Sequence, residues 1–352
     1  MKKRIVLGLS LGLASIFIAS TAYSWNYATH AFIAGKIGKN LPVHNFNEMY
    51  GLMAPDILNF EFSLMNDSVL RGYTHGIPAD AAAYYPFPSP NENFMSVWDA
   101  SYRSVLKSAA FGFVAHNDAW GADFVAHWRA LPTEDPTPIP FPIYAPPGFL
   151  PQPPGYIIYL AAALDMGLQL ENVWATMGLE SDYATRLMFC HNIIEYAGDL
   201  VIKREDPLIG RKLVWACHLR SPQFEKLLEE AFPDVYDPLV AAAEPAYRDM
   251  LTQYGLVLLA PEETAIEMIA DQLADLAVDY LIFIGMPPEM VEPMRPQLVE
   301  FGILTLTLSI DICENADDYL GAGFPTYMQE LNEVAVPWVG AQLAAHGIVY
   351  WF

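Results

Sequence analysis

Apolar residues at helical spacing fill most of this chain, and no segment alternates apolar and polar residues between hairpin turns. "EETAIEMIADQLADLAVDYLIFIG", "QLVEFGILTLTLSIDICENADDYL" and "MQELNEVAVPWVGAQLAAHG" each sustain that spacing over several turns. There is no internal repeat and no glycine-rich phosphate loop, so the expected class is all-α. With 352 residues, 53% hydrophobic and 17% charged, the chain can bury a substantial core.

The interruptions set the expected organisation. Residues 31–40 are compatible with a helix, and "MYGLMAPDILNFEF" breaks at Pro55 with Asp56 directly behind it. Residues 93–130 read as two alanine-rich helical stretches. Ten of the 28 prolines then fall between Pro132 and Pro154, which excludes a helix or a central strand and predicts an extended surface excursion. Helical character resumes at Tyr156 and continues through "YATRLMFCHNIIEYAGDLVIKRE". The expected division is a helical domain over 25–210, with a proline-rich insertion at 131–155, and a C-terminal helical extension over 211–352.

Residues 1–24 read as a secretory signal. "MKKR" is the basic head, "IVLGLSLGLASIFIAS" the apolar middle, and Ala22 and Ser24 form a small-x-small cleavage site before Trp25. The expectation is an exported, periplasmic or secreted chain beginning at Trp25. The apolar run is too short to span a membrane, and no later segment reads as the roughly 20 apolar residues a span needs. The signal holds three cations and no acid, so its removal makes the net charge more negative than -23. So acidic a surface repels polyanions and makes nucleic acid the less favoured partner. Cys190, Cys217 and Cys313 allow at most one disulfide, and no Cys-x-x-Cys pair suggests a thiolate metal site.

Eight histidines occur, and five have neighbours suited to metal chemistry. A helical residue advances about 100°, so on a continuous helix His116, Asp123 and His127 fall within about 40° of one another. Asp118 lies about 200° from His116 on the same wheel. His191 and Glu195 in "HNIIE" form an i, i+4 pair that can bring two heads onto one ion. Such a pair also arises by chance, and a lone helical histidine is usually structural. Accumulation favours the metal reading, because Asp56 and His75 in "GYTHG" accompany these two helices.

The ordered set "WNYATH", "MAPD", "YTHG", "FGFVAHNDAWGADFVAH" and "HNIIE" resembles the zinc-dependent phospholipase C family, the phospholipase C/D domain, and the related three-zinc single-strand nucleases. The resemblance covers roughly residues 25–200. It implies a multi-helix phospholipase C/nuclease-like fold holding up to three zinc ions. The amino nitrogen and carbonyl oxygen of an N-terminal Trp25 would bind one zinc beside His30. Asp56 and His75 would join His116 and a helix aspartate on a second, and His127, His191 and Glu195 would hold the third. The family usually writes His-x-x-x-Asp on its central helix, where this chain has Trp120. Either Asp118 or Asp123 must supply that carboxylate, and the helical-face geometry favours Asp123.

Mixed imidazole and carboxylate ligands suit zinc, and paired ions can acidify a water and hold the oxygens of a phosphoester. The implied activity is phosphodiester hydrolysis of the phospholipase C type. Asp56 is the expected assistant base, a role compatible with capping the helix that starts at "DILNF". The alternatives are a three-zinc nuclease or phosphatase, and a non-catalytic zinc-stabilised binding protein. Phe141, Tyr144, Phe149 and Tyr156, on the proline-stiffened segment, could rest transiently on a lipid surface or clamp the C-terminal helices. Nothing in the sequence points to a protein partner.

Overall fold

The computed structural model describes residues 25–39, 41–58, 72–76, 92–101, 106–129, 131, 155–176, 183–234, 238–283 and 286–350. The described residues form helices and no strand, the all-α class expected from the periodicity. The expected signal (1–24), most of the proline-rich insertion, and its Phe141, Tyr144 and Phe149 lie outside them.

The first helix, α1 (Tyr27–Ile37), starts where the Asn26 side chain accepts the Tyr27 amide. Every residue from Tyr27 to Ala34 is buried, so α1 is a core helix and not a surface one. Pro42 opens α2 (Pro42–Met53), a position where its missing N–H costs nothing. A 3-10 turn over Ala54–Leu58 follows, which accommodates Pro55 and carries Asp56. Then come α3 (Met95–Ala100) and α4 (Lys107–His116).

Helices α2 and α4 cross through two glycines. A Cβ on Gly51 would lie 2.0 Å from the Ala109 carbonyl oxygen, and one on Gly112 would lie 2.0 Å from that of Glu48. This close approach lets the His116 ring reach the Leu52 carbonyl, with Nδ1 at 2.8 Å. Gly112→Ala should therefore destabilise the fold by at least about 2–3 kcal/mol, the scale of forced overpacking. Chemical denaturation checks this, and an unchanged midpoint would mean that the crossing is looser than described.

The chain resumes as α5 (Tyr156–Leu168), α6 (Leu170–Thr176) and the long α7 (Tyr183–Glu205). Lys203 and Arg204 lie in the last turn of α7, where cations favour the helix end. Then follow α8 (Ile209–Leu219), α9 (Phe224–Ala231), α10 (Pro238–Leu259), α11 (Glu262–Phe283) and α12 (Arg295–Glu314), with short helical turns at Pro288–Val291 and Ala316–Leu320. Finally α13 (Tyr327–Gln329), opened by a Thr326/Gln329 capping box, passes through a π-helical turn at Glu330–Ala335 into α14 (Val336–Ala345).

One connected buried cluster runs from Trp25 to Tyr350, so the helices beyond residue 210 share the core of those before it. Contrary to the sequence reading, Pro288–Glu314 is long and apolar enough by length and composition to cross a membrane. Its Leu298, Leu306, Ile310 and Ile312 are buried, and α12 packs on α11, α7 and α5. Of the two roles open to Tyr156, lipid contact or a clamp on the C-terminal helices, it takes the second: it is fully buried, its hydroxyl donates to the Pro325 carbonyl at 3.0 Å and its ring meets Phe324 and Tyr327. The three cysteines are buried and unbridged.

Candidate metal centre

His30 comes from the middle of α1, Asp56 from the 3-10 turn after α2, His75 from a short turn closed by Gly76, and His116 from the last residue of α4. Gly76 has φ 72°, the left-handed region that favours glycine. All four side chains are buried and converge. His75 Nε2 is 3.3 Å from Asp56 Oδ1, and His116 Nε2 is 3.7 Å from the same oxygen. His30 Nε2 is 4.0 Å from Asp56 Oδ2.

Asp123 joins them by a route the sequence reading did not foresee. The expected continuous helix through 116, 123 and 127 does not exist, because α4 ends at His116 and the chain reverses. Asn117 drives the break: its amide nitrogen donates to the Val114 carbonyl, and its Oδ1 accepts the amides of Trp120 and Gly121. Gly121 then folds so tightly over the helix end that a Cβ would lie 2.6 Å from the carbonyl oxygens of Ala115 and His116. The returning chain sets Asp123 Oδ2 3.0 Å from His116 Nε2 and Oδ1 3.6 Å from His30 Nε2. Residues 124–128 form a π-helical turn that carries His127.

His127 faces α7. Its Nε2 is 3.0 Å from His191 Nε2 and 3.8 Å from Glu195 Oε1, while His191 Nε2 is 3.2 Å from that same Glu195 oxygen. The i, i+4 spacing acts as the helical wheel implies, because α7 is unbroken there. Asp118 lies on the reversal and approaches the other ring nitrogen of His127, Nδ1, at 3.7 Å, and its Oδ1 accepts the Trp128 indole N–H at 3.0 Å. It therefore faces the cluster, and is not turned away as the continuous wheel would have it.

The five rings share an orientation. Each Nε2 points to a carboxylate of the cluster; the Nδ1 atoms of three rings meet local oxygens, Leu52 O for His116, Thr74 Oγ1 for His75 at 2.7 Å and Asn192 Oδ1 for His191 at 3.3 Å, whereas that of His127 faces Asp118. Histidines that ligate metals are oriented in this way, by an oxygen that holds the outer nitrogen. Burial, followed by the neighbouring His116, His75 and His127, pushes the His30 pKa well below its ordinary value, which favours the neutral ring a metal needs.

Among the described residues, four overlapping groups place ligand atoms within 4.8 Å of one another: His30, His116 and Asp123; Asp56, His75 and His116; His127, His191 and Glu195; and Asp118, Asp123 and His127. These buried His/Asp/Glu groups can hold metal ions through imidazole nitrogen and carboxylate oxygen. His44, His218 and His346 stand outside the groups; His346 stacks on Trp120 with ring centroids 4.4 Å apart.

Trp25 is fully buried beside the cluster. Its indole N–H donates to the Ala122 carbonyl at 2.8 Å, one residue before Asp123, and its ring packs against those of Tyr156 and Tyr327. The sequence reading missed Asp199, a buried α7 carboxylate whose place in the series 191, 195, 199 could have flagged it. Burial pushes Asp199 up to about 7, against hydrogen bonds from Ala28, Thr29 and Tyr254 that favour the ionised form. No protein-family model, curated protein or solved structure matches the chain.

Proposed function

We propose that the chain is an exported zinc-dependent phosphodiesterase of the phospholipase C type. The observation that carries this reading is the convergence of five buried imidazoles, each with Nε2 inward, on the three carboxylates of Asp56, Asp123 and Glu195. Zinc ions held there would lower the pKa of a water toward about 7 and neutralise phosphate charge.

The chain's own groups divide the remaining work. His30, His116 and Asp123, then Asp56 and His75, then His127, His191 and Glu195 would hold the ions. Asp56 has both oxygens turned to imidazoles, one at 3.3 Å from His75 and the other at 4.0 Å from His30. A carboxylate so placed can take the proton of an attacking water at Oδ. A lipid or small-headgroup phosphodiester suits the acidic balance of the chain better than a polyanion does.

The test is one preparation of the processed chain, with zinc counted and hydrolysis followed on phosphatidylcholine and single-stranded DNA. The expected result is bound zinc, release of diacylglycerol and a phosphorylated headgroup, and loss of both zinc and activity to a chelator. Phosphatidic acid as product would assign phospholipase D chemistry, and faster cleavage of DNA would assign a nuclease. Bound zinc without hydrolysis of either substrate would leave a zinc-stabilised binding protein.

A further inference from the structure

Asp199 joins three parts of the fold at a point next to the candidate metal centre. It lies on α7 one turn beyond Glu195 and is fully buried. Its Oδ2 accepts the Ala28 amide at 2.9 Å and the Tyr254 hydroxyl at 3.0 Å. Its Oδ1 accepts the Thr29 amide at 2.8 Å and the Thr29 hydroxyl at 2.9 Å. The Tyr327 hydroxyl completes the group, 2.9 Å from Thr29 Oγ1.

Ala28 and Thr29 are the second and third residues of α1, and the next residue is His30. The first amides of a helix have no partner within it, and the helix N-terminus favours negative charge. Asn26 satisfies the Tyr27 amide, and Asp199 satisfies the next two from another helix. The carboxylate thus ties the first turn of α1 to the helix that carries His191 and Glu195. Tyr254 of α10 and Tyr327 of α13 extend the tie to the C-terminal helices.

We infer that Asp199 is a positioning residue: it fixes the first turn of α1 so that His30 keeps its place in the His30, His116 and Asp123 group. The inference rests on the metal reading of that group. A burial role alone would accept Asn, which has nearly the same shape. Positioning requires both oxygens, because Asn would present N–H to donors that need an acceptor.

The test loads the full chain and Asp199→Asn with zinc, counts the bound ions and removes them with graded chelator. In Asp199→Asn one zinc should be lost, or released at 10- to 100-fold higher free zinc, the scale of disturbing a residue that orients a ligand. The remaining zinc should leave as in the unmodified chain, although Glu195 is only one turn from the substitution. Glu244→Gln is the control, since it removes a buried carboxylate charge whose partners are Arg220, Arg248 and Tyr50. It should lower stability and leave the zinc profile unchanged.

Hydrogen exchange of the chelated protein gives a reading without metal: amides at the start of α1 should exchange faster in Asp199→Asn. If that variant does not fold, Thr29→Val removes only the hydroxyl bonds and should shift the same zinc less far. An unchanged zinc profile in Asp199→Asn and Thr29→Val, or equal weakening of every zinc in them, would overturn the inference and leave the metal reading intact. A chain that binds no zinc even unmodified would overturn both.

Discussion

Asp123→Asn should strip at least one metal ion per chain and slow turnover on the order of 10²–10³-fold, the loss seen when a group that stabilises transition-state charge is removed. Asp123 belongs to two of the four ligand groups, and its oxygens lie 3.0 Å from His116 Nε2 and 3.6 Å from His30 Nε2. Asn keeps the shape but loses the charge that would balance a cation. The metal-free protein should respond in the opposite sense. There Asp123 is a buried carboxylate among imidazoles, and the uncharged amide removes a desolvation cost. Thermal unfolding with zinc should therefore show a loss of up to about 4 kcal/mol, the linkage expected for a ligand at 1,000 times its Kd, and the chelated form none. Equal losses in both forms, or an unchanged metal content, would reduce Asp123 to a structural residue. Asp118→Asn should fall between Asp123→Asn and an unaffected chain, because it meets His127 at Nδ1 and not on the inward side.

Helical periodicity is reliable where the backbone is continuous and fails where a side chain competes for backbone hydrogen bonds. The pair His191 and Glu195 was legible because α7 runs unbroken from Tyr183 to Glu205. The same wheel drawn through His116 and Asp123 named the right carboxylate to face His116 for the wrong reason. In "HNDAWG" the Asn117 side chain takes over the end of α4 and Gly121 admits the reversal, and both residues are turn signals visible in the sequence. The π-helical turn that aims His127 at α7 has no such signal.

The contribution of the C-terminal helices was not legible either. Tyr247 donates to the Met53 carbonyl at 2.6 Å, Tyr254 to Asp199, and Trp338 to the Trp120 carbonyl at 2.9 Å. In sequence these aromatics look like any apolar helix face. Only the distant partner shows that they buttress the segments carrying Asp56, His30 and Asp123.

The opposite responses of two changes at Trp25 would separate its ring from its backbone. Trp25→Ala, correctly processed, should cost about 3–5 kcal/mol of stability, the range for emptying a buried Trp site. The ring stacks on Tyr156 at 6.2 Å, meets Tyr327 edge-on at 5.3 Å and bonds to Ala122. That loss should persist in chelator, because packing does not need the metal. Leaving one residue in front of Trp25 keeps the ring and changes only its nitrogen. An α-amino group, with a reference pKa of about 7.7–8.0, gives up its proton readily to a nearby zinc. A peptide nitrogen cannot, since its lone pair is delocalised into the carbonyl. The extended chain should therefore bind about one zinc fewer and turn over more slowly, with stability in chelator unchanged. N-terminal sequencing with zinc counted on both forms decides the point. Equal zinc and equal activity would remove Trp25 from the site and leave its indole as the support that holds Ala122, and with it Asp123, in place.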